Sequence, residues 1–159
     1  MKKVATMNRK TETTGLRIVK ALSGKEWTVV KEFRQKYFFD KVPIPDPYTW
    51  TFDHPEHTHL ILYQAEPIVG YAHVQLWPGT RAALRIIVID EPFRNQGLGG
   101  YFLAQCEGWL RTQGIVSFHT ESSPKAQPFY IKSGFKRMAF EDPDLLESDP
   151  QDLPMGKKL

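Results

Sequence analysis

Cysteine is almost missing from this sequence: Cys106 is the single thiol. One thiol closes no internal disulfide, and no Cys/His spacing offers a zinc ligand set. Long apolar runs are missing as well. The longest strongly aliphatic stretch, Ile86-Ile87-Val88-Ile89, is far too short to span a bilayer. Charge of one sign is scarce, with 21 Lys and Arg against 18 Asp and Glu and a formal net charge of +3. That excess is dispersed and makes no dedicated DNA surface. The sequence pI of about 8.9 keeps nucleic-acid binding only as a third-ranked reading. Residues 1–14 hold Lys2, Lys3, Arg9 and Lys10, but no apolar stretch follows, so no signal peptide is read there. A flexible leader is expected, and a cytoplasmic location follows by default. His54, His57 and His59 crowd together without an accompanying ligand set, and a solvent-facing loop is expected for them.

What is present suits one domain over residues 15–159. The 159 residues are 41% hydrophobic and 25% charged, enough for a single sizeable core. Gly15 to Leu22 reads as a strand. Ser23-Gly24-Lys25-Glu26 has the form of a capping box, and Trp27, Val30, Phe33 and Tyr37 follow at helical spacing, predicting a helix over 24–39. Prolines at 43, 45, 47 and 55 keep residues 40–58 irregular. His59 to Tyr63, Ile68 to Trp77 and Ala82 to Asp90 read as three strands. The last is apolar nearly throughout, as for a strand covered on both faces. A helix over 98–112 buries Phe102, Leu103, Cys106, Trp109 and Leu110, which makes Cys106 a core residue. Ile115 to Glu121 is a strand, Gln127 to Ser133 a short helix, Phe135 to Phe140 a strand, 141–153 a loop, and 154–159 a last edge strand. Helices interleave with a three-strand run. That order predicts an α/β (α+β) fold: a mixed central sheet of six or seven strands with helices on both faces.

One turn stands out. A strand leads into Arg94-Asn95-Gln96-Gly97-Leu98-Gly99-Gly100, and a helix leaves it. Amides at a helix start lack partners and the dipole is positive there. Glycines let backbone approach a phosphate, so the turn suits a pyrophosphate. A nucleotide P-loop requires Gly-Lys-Ser/Thr next, and Gly99-Gly100-Tyr101 fails that test. A dinucleotide fingerprint requires a third glycine near 102, where Phe102 stands.

The stretch from Ile87 through Gly99 resembles the GCN5-related N-acetyltransferase (GNAT) superfamily, with its Arg/Gln-x-x-Gly-x-Gly/Ala hallmark after a buried strand. Downstream, Ala126-Gln127-Pro128-Phe129-Tyr130-Ile131-Lys132-Ser133-Gly134-Phe135 is similar to that family's Ala-x-x-Phe-Tyr-x-x-x-Gly-Phe. Element order agrees over residues 15–159, and the specific motifs lie within 84–136. The resemblance implies a GNAT-like sheet and acetyl-CoA (coenzyme A) as co-substrate, without a metal. It implies that Ile87, Val88 and Ile89 hold the pantetheine arm and that Arg94, Asn95, Gln96, Gly97, Leu98, Gly99 and Gly100 hold the pyrophosphate.

Acetyl transfer to an amine requires a deprotonated amine, a polarised carbonyl and a protonated leaving thiolate. The resemblance makes Tyr130 the candidate acid beside the sulfur; a core aromatic is the alternative. The base is less defined. Some members that acetylate protein N-termini use a Glu five residues before an Asn. Here those positions carry Phe118 and Ser123, and Ser123 is retained as a cofactor contact. His119 and Glu121 share one face of their strand and are the candidate bases, with a satisfied strand histidine as the equal alternative for His119. An acceptor pocket is expected from the 40–58 loop with His73, Arg81 and Arg85. Arginines there favour an acceptor bearing carboxylate or phosphate, although surface ion pairs explain them equally. The expected activity is N-acetylation of a small-molecule or peptide amine by direct attack, in a monomer or homodimer binding neither nucleic acid nor membrane. The alternative is a non-catalytic acyl-CoA-binding or sensing module.

Overall fold

In the computed structural model the described residues are 15–40, 44–146 and 148–159. The expected leader at 1–14 lies outside them.

The capping box forms as the sequence predicts. Ser23 Oγ accepts from Glu26 N–H at 3.2 Å, and Glu26 Oε1 accepts from the amides of Leu22 (2.9 Å) and Ser23 (3.1 Å). Helix α1 (Gly24–Arg34) starts there and buries Val30, Phe33 and Arg34. The helical path continues to residue 39, but Gln35–Phe39 widens into a π-turn.

Seven strands form one mixed sheet: β1 (Leu16–Lys20), β2 (His57–Gln64), β3 (Ile68–Trp77), β4 (Arg81–Ile89), β5 (Ser117–Ser122), β6 (Lys136–Arg137) and β7 (Leu153–Lys158). Their order is β1-β2-β3-β4-β5-β7-β6. The first four make an antiparallel meander. Helix α2 (Leu98–Thr112) carries the chain to β5, which lies parallel to β4. Helix α3 (Gln127–Lys132) follows, with Pro128 in its first turn where a missing N–H costs nothing. Helices cover both faces: α2 and α3 close a core with Leu60, Val74 and Leu84, and α1 closes a second with Ile61, Tyr71 and Val88.

The end of the chain departs from expectation. The 154–159 segment is not an edge strand, because β7 lies between β5 and β6. The edge belongs to β6, which pairs over two residues rather than from Phe135 to Phe140. Gly156 makes the insertion possible. A Cβ there would lie 2.7 Å from Met138 Sδ and 3.0 Å from His119 Nδ1.

Two irregularities place the site. The β3–β4 register steps at Arg85, with Val74 opposite Leu84 and His73 opposite Ile86. One extra residue on β4 swaps its faces, so Leu84 packs toward α2 while Ile86 and Val88 pack toward α1. In addition, β4 pairs with β5 only from Arg81 to Ala83. Beyond that point the strands part. Among the described residues no helix is long and apolar enough to cross a membrane.

Candidate active site

Two cavities share β4. The larger, about 1140 Å³, takes Ile87, Val88 and Ile89 as one wall. The start of α2 forms a second wall and Phe129 and Tyr130 of α3 a third. Gly97 is the helix N-cap, at φ +76°, a left-handed conformation that favours glycine. The first intrahelical bond runs from Tyr101 N–H to the Gly97 carbonyl at 3.1 Å. The amides of Leu98, Gly99 and Gly100 therefore precede the ladder, and Gly97 brings no side chain to cap them. A Cβ on Gly97 or Gly100 would meet nothing within 4 Å, whereas one on Gly99 would press on the Phe129 ring at 3.2 Å. Arg94 Nε donates to the Ile89 carbonyl at 2.8 Å and ties the turn back to β4. Lys125 and Lys132 add positive charge to the lining, while Lys157 is paired with Glu107 at 2.9 Å. Uncapped amides, open glycines and lysines make a surface suited to an anionic group such as a pyrophosphate. Of the residues the sequence assigns to the cofactor, Ile87, Val88, Ile89, Arg94, Asn95, Gly97, Leu98, Gly99, Gly100 and Tyr130 line this cleft. Gln96 and Ser123 do not: both are exposed, and Ser123 opens a 3-10 turn at Pro124–Ala126.

Tyr130 is 6% exposed. Burial pushes its hydroxyl up to about 12, with Thr120 beside it opposing the rise. Thr120 Oγ1 in turn donates to the Leu84 carbonyl at 3.0 Å, where β4 and β5 separate. Tyr130 thus stands on the cleft wall near the fork of the sheet.

The smaller cavity, about 390 Å³, takes Leu84, Arg85 and Ile86 from β4 and Glu121 from β5. β4 passes from one cavity to the other between Ile86 and Ile87. The back of this cavity is a polar network rooted on Arg34, which is 1% exposed. Asp46 accepts from Arg34 through both carboxylate oxygens. Arg34 Nη1 also donates to Tyr71 Oη (3.0 Å) and reaches His73 Nδ1 (3.2 Å). Two branches leave it: His73 Nε2 to His57 Nδ1 at 2.7 Å, and Tyr71 Oη to His59 Nδ1 at 2.7 Å. The expectation of a solvent-facing histidine loop is corrected here. His57 and His59 are buried on β2; His59 stacks on His73, and His57 packs against it at a tilt. Burial, reinforced by His54 and Arg85, lowers His57 to about 4. Burial lowers His59 to about 3, and burial with the charges of His59 and Arg34 holds His73 well below the usual imidazole range. In the sequence the trace of this network on β3 is the alternation that puts Tyr71, His73 and Gln75 on one face.

The remaining predicted residues separate. Arg85 lines the smaller cavity, but Arg81 does not and donates instead to the carbonyls of Phe140 and Glu141. Glu121 lines the cavity and accepts from Ser148 Oγ at 2.7 Å. His119 lines neither cavity. Its Nε2 meets Ser117 Oγ at 2.8 Å, its ring stacks on Trp77, and burial lowers its basicity. Among the described residues no cluster of three or more His, Cys, Asp or Glu could hold a metal ion. Burial also pushes the Cys106 thiol up, away from nucleophilic use.

A family model described as "Acetyltransferase (GNAT) family" matches residues 27–135. The chain belongs to the GNAT acetyltransferase family. Solved structures agree on the fold of this GNAT domain. A GNAT-family acetyltransferase from Staphylococcus aureus Mu50 superposes with a TM-score of 0.70 at 16% identity, covering 90% of this chain and 98% of that one. The PaiA N-acetyltransferase from Thermoplasma acidophilum, in complex with coenzyme A, gives 0.67 at 16% identity over 91% and 99%. The ribosomal-protein-S18-alanine N-acetyltransferase from Escherichia coli gives 0.69 at 17% identity over 90% and 93%. Searched against curated proteins, the sequence has no match.

Proposed function

We propose that this GNAT domain is an acetyl-CoA-dependent N-acetyltransferase that moves an acetyl group to an amine by direct attack. The observation that carries the proposal is the fork in the sheet. β4 leaves β5 after Ala83, an uncapped helix start faces the opening, and Tyr130 stands beside it. The first turn of α2 would hold the pyrophosphate, and the β4 edge from Ile87 to Ile89 the pantetheine arm. The acceptor would enter through the smaller cavity.

The residues divide the work as follows. Glu121 takes the ammonium proton, directly or through water, and the amine lone pair forms the C–N bond as the C–S bond breaks. β4 amides that have lost β5 as a partner polarise the carbonyl. Tyr130 faces the departing sulfur. A free thiol titrates near 8.5, so complete proton transfer from a phenol at about 12 is uphill by on the order of 5 kcal/mol. Tyr130 therefore acts first as a hydrogen-bond donor to the developing thiolate. His119 has no part in this scheme.

The test is time-dependent release of free thiol from acetyl-CoA with a panel of amines, beside calorimetric coenzyme A binding. Binding with amine-dependent release is expected. Binding with no release from any amine would replace the enzyme by a non-catalytic acyl-CoA module, which the absence of Asn and Glu at positions 123 and 118 also allows.

A further inference from the structure

Helix α1 and its π-turn touch both halves of the site. Arg34, Phe38 and Phe39 line the smaller cavity. Tyr37, between them in sequence, lines neither cavity. It meets the chain instead where β4 runs into the glycine turn. Its hydroxyl donates to Asp90 Oδ1 and accepts from the Glu91 amide at 3.0 Å. Asp90 Oδ1 also accepts from that amide, at 3.2 Å. These bonds fix the start of a short 3-10 turn, Glu91–Phe93. The turn delivers Arg94 to the larger cleft. Phe93 N–H donates to the Asp90 carbonyl at 2.9 Å, and Arg94 N–H to the Glu91 carbonyl at 3.3 Å. Single π-turns recur at functional sites, and this one carries the residue that reaches across.

A second contact acts on Arg94 directly. Its guanidinium carbon lies 5.0 Å from the centre of the Tyr37 ring, a cation–π arrangement. Its Nε donates to the Ile89 carbonyl at 2.8 Å. The side chain is exposed, yet it is held by its face and by one nitrogen. Among the described residues Nη1 and Nη2 have no partner. Those two nitrogens form the edge that grips a phosphate through parallel bonds. An arginine already held loses less rotamer freedom when it binds an anion. Tyr37 is supported in turn by buried Phe33, edge to face at 5.8 Å. Support thus runs from the core through Tyr37 to Arg94. Exposed Lys36 lies 5.0 Å from the same ring and 3.9 Å from Asp90 Oδ1, without lining the cleft.

We propose that Tyr37 is a positioning residue of the cofactor site: from outside the cleft it presents the Arg94 fork to a phosphate oxygen of coenzyme A. It rests on the acetyltransferase reading above for the identity of the anion, and goes beyond it by assigning a residue that lines neither cavity. In the sequence, spacing with Trp27, Val30 and Phe33 marks Tyr37 only as part of a helix face.

Calorimetric coenzyme A binding to the full chain tests this through a double-mutant cycle. Arg94→Gln should raise Kd about tenfold, the effect of losing a charged hydrogen bond. Tyr37→Leu should raise it about fivefold. Tyr37→Phe keeps the ring beside Arg94, loses only the hydroxyl, and should raise it about threefold. In the Arg94→Gln background neither Tyr37 substitution should weaken binding further, because nothing is left to position. Equal Kd in wild type and both Tyr37 variants overturns the proposal, as do losses that add to that of Arg94→Gln. Should Tyr37→Leu fail to fold, the cycle with Tyr37→Phe decides in the same way. The other face of α1 separates positioning from general loosening. With acetyl-CoA saturating, the amine KM of Tyr37→Phe should stay within about twofold of wild type. A rise matching the rise in Kd means that α1 has slackened around Arg34, Phe38 and Phe39, and overturns the proposal. If no amine releases thiol, the binding cycle still decides, and only the catalytic reading falls. Wild-type protein that binds no coenzyme A removes the cofactor reading and this proposal together; wild-type binding with unaltered variants removes this proposal alone.

Discussion

At the scale of single residues, the site rests on groups whose environment fixes their protonation. Tyr130 is the clearest. Its burial keeps the phenol protonated through the neutral range, so it has a hydrogen to offer a thiolate at every working pH. Tyr130→Phe removes that hydrogen and keeps the ring contacts with Phe129 and Phe135. The expected result is a kcat about 100-fold lower, with coenzyme A affinity unchanged by calorimetry. An unaltered kcat would return Tyr130 to the core. Glu121→Gln should lower kcat by a similar factor at neutral pH. Raising pH should restore activity, because the acceptor amine then arrives deprotonated. A loss that persists at high pH would make Glu121 a structural residue. Tyr130 and Glu121 were candidates in the sequence because each sits in a short local pattern. It could not show that His119 turns away, since that depends on Trp77 and Gly156, both distant in the chain.

At the scale of elements, local chemistry explains what was readable. Ser23 and Glu26 start α1, Gly97 starts α2, and Gly114 and Gly134 follow the ends of α2 and α3 at positive φ. Helix α2 and strand β3 accordingly run over the residues the periodicity picks out. The order β5-β7-β6 was not readable, because strand order is decided by contacts far apart in sequence. Gly156 is the residue that permits it. It pairs with His119 on one side and Lys136 on the other. Gly156→Ala would put a methyl against Met138 Sδ and the Phe118 carbonyl, which lies 3.1 Å from the new carbon. Met138 can swing away but backbone cannot. Urea unfolding should show a loss of about 1–3 kcal/mol, the usual cost of overpacking. Gly100→Ala, where the added carbon meets nothing, is the control and should be near neutral in stability.

At the scale of the whole molecule, the Arg34 network joins α1, β2, β3 and the irregular segment before β2, and it makes stability depend on pH. Its partners lie 12 to 39 residues from Arg34, which is why the histidines read as a loop in the sequence. In the unfolded chain a histidine titrates near 6.5. In the folded chain His57 falls to about 4 and His59 to about 3, with His73 lower than its ordinary value as well. The unfolded state therefore binds more protons than the folded state between about pH 6.5 and about pH 4. Stability is complete above 6.5 and declines as pH falls through that window. For His57 alone the difference is on the order of 3 kcal/mol. The three do not add, because a first proton opposes a second across the same network. Carboxylates do not mimic this decline. Glu26 and Asp142 stay below their ordinary values despite burial, held by Tyr63 and by Arg85 respectively, so their contribution is lost only at lower pH. Urea midpoints at about pH 7 and about pH 5 should thus differ markedly, and His57→Gln should reduce the difference by removing one depressed imidazole. A wild-type midpoint that stays constant over that interval would mean the histidines charge without cost, and the network would then lack the dry, Arg34-ordered character its burial implies.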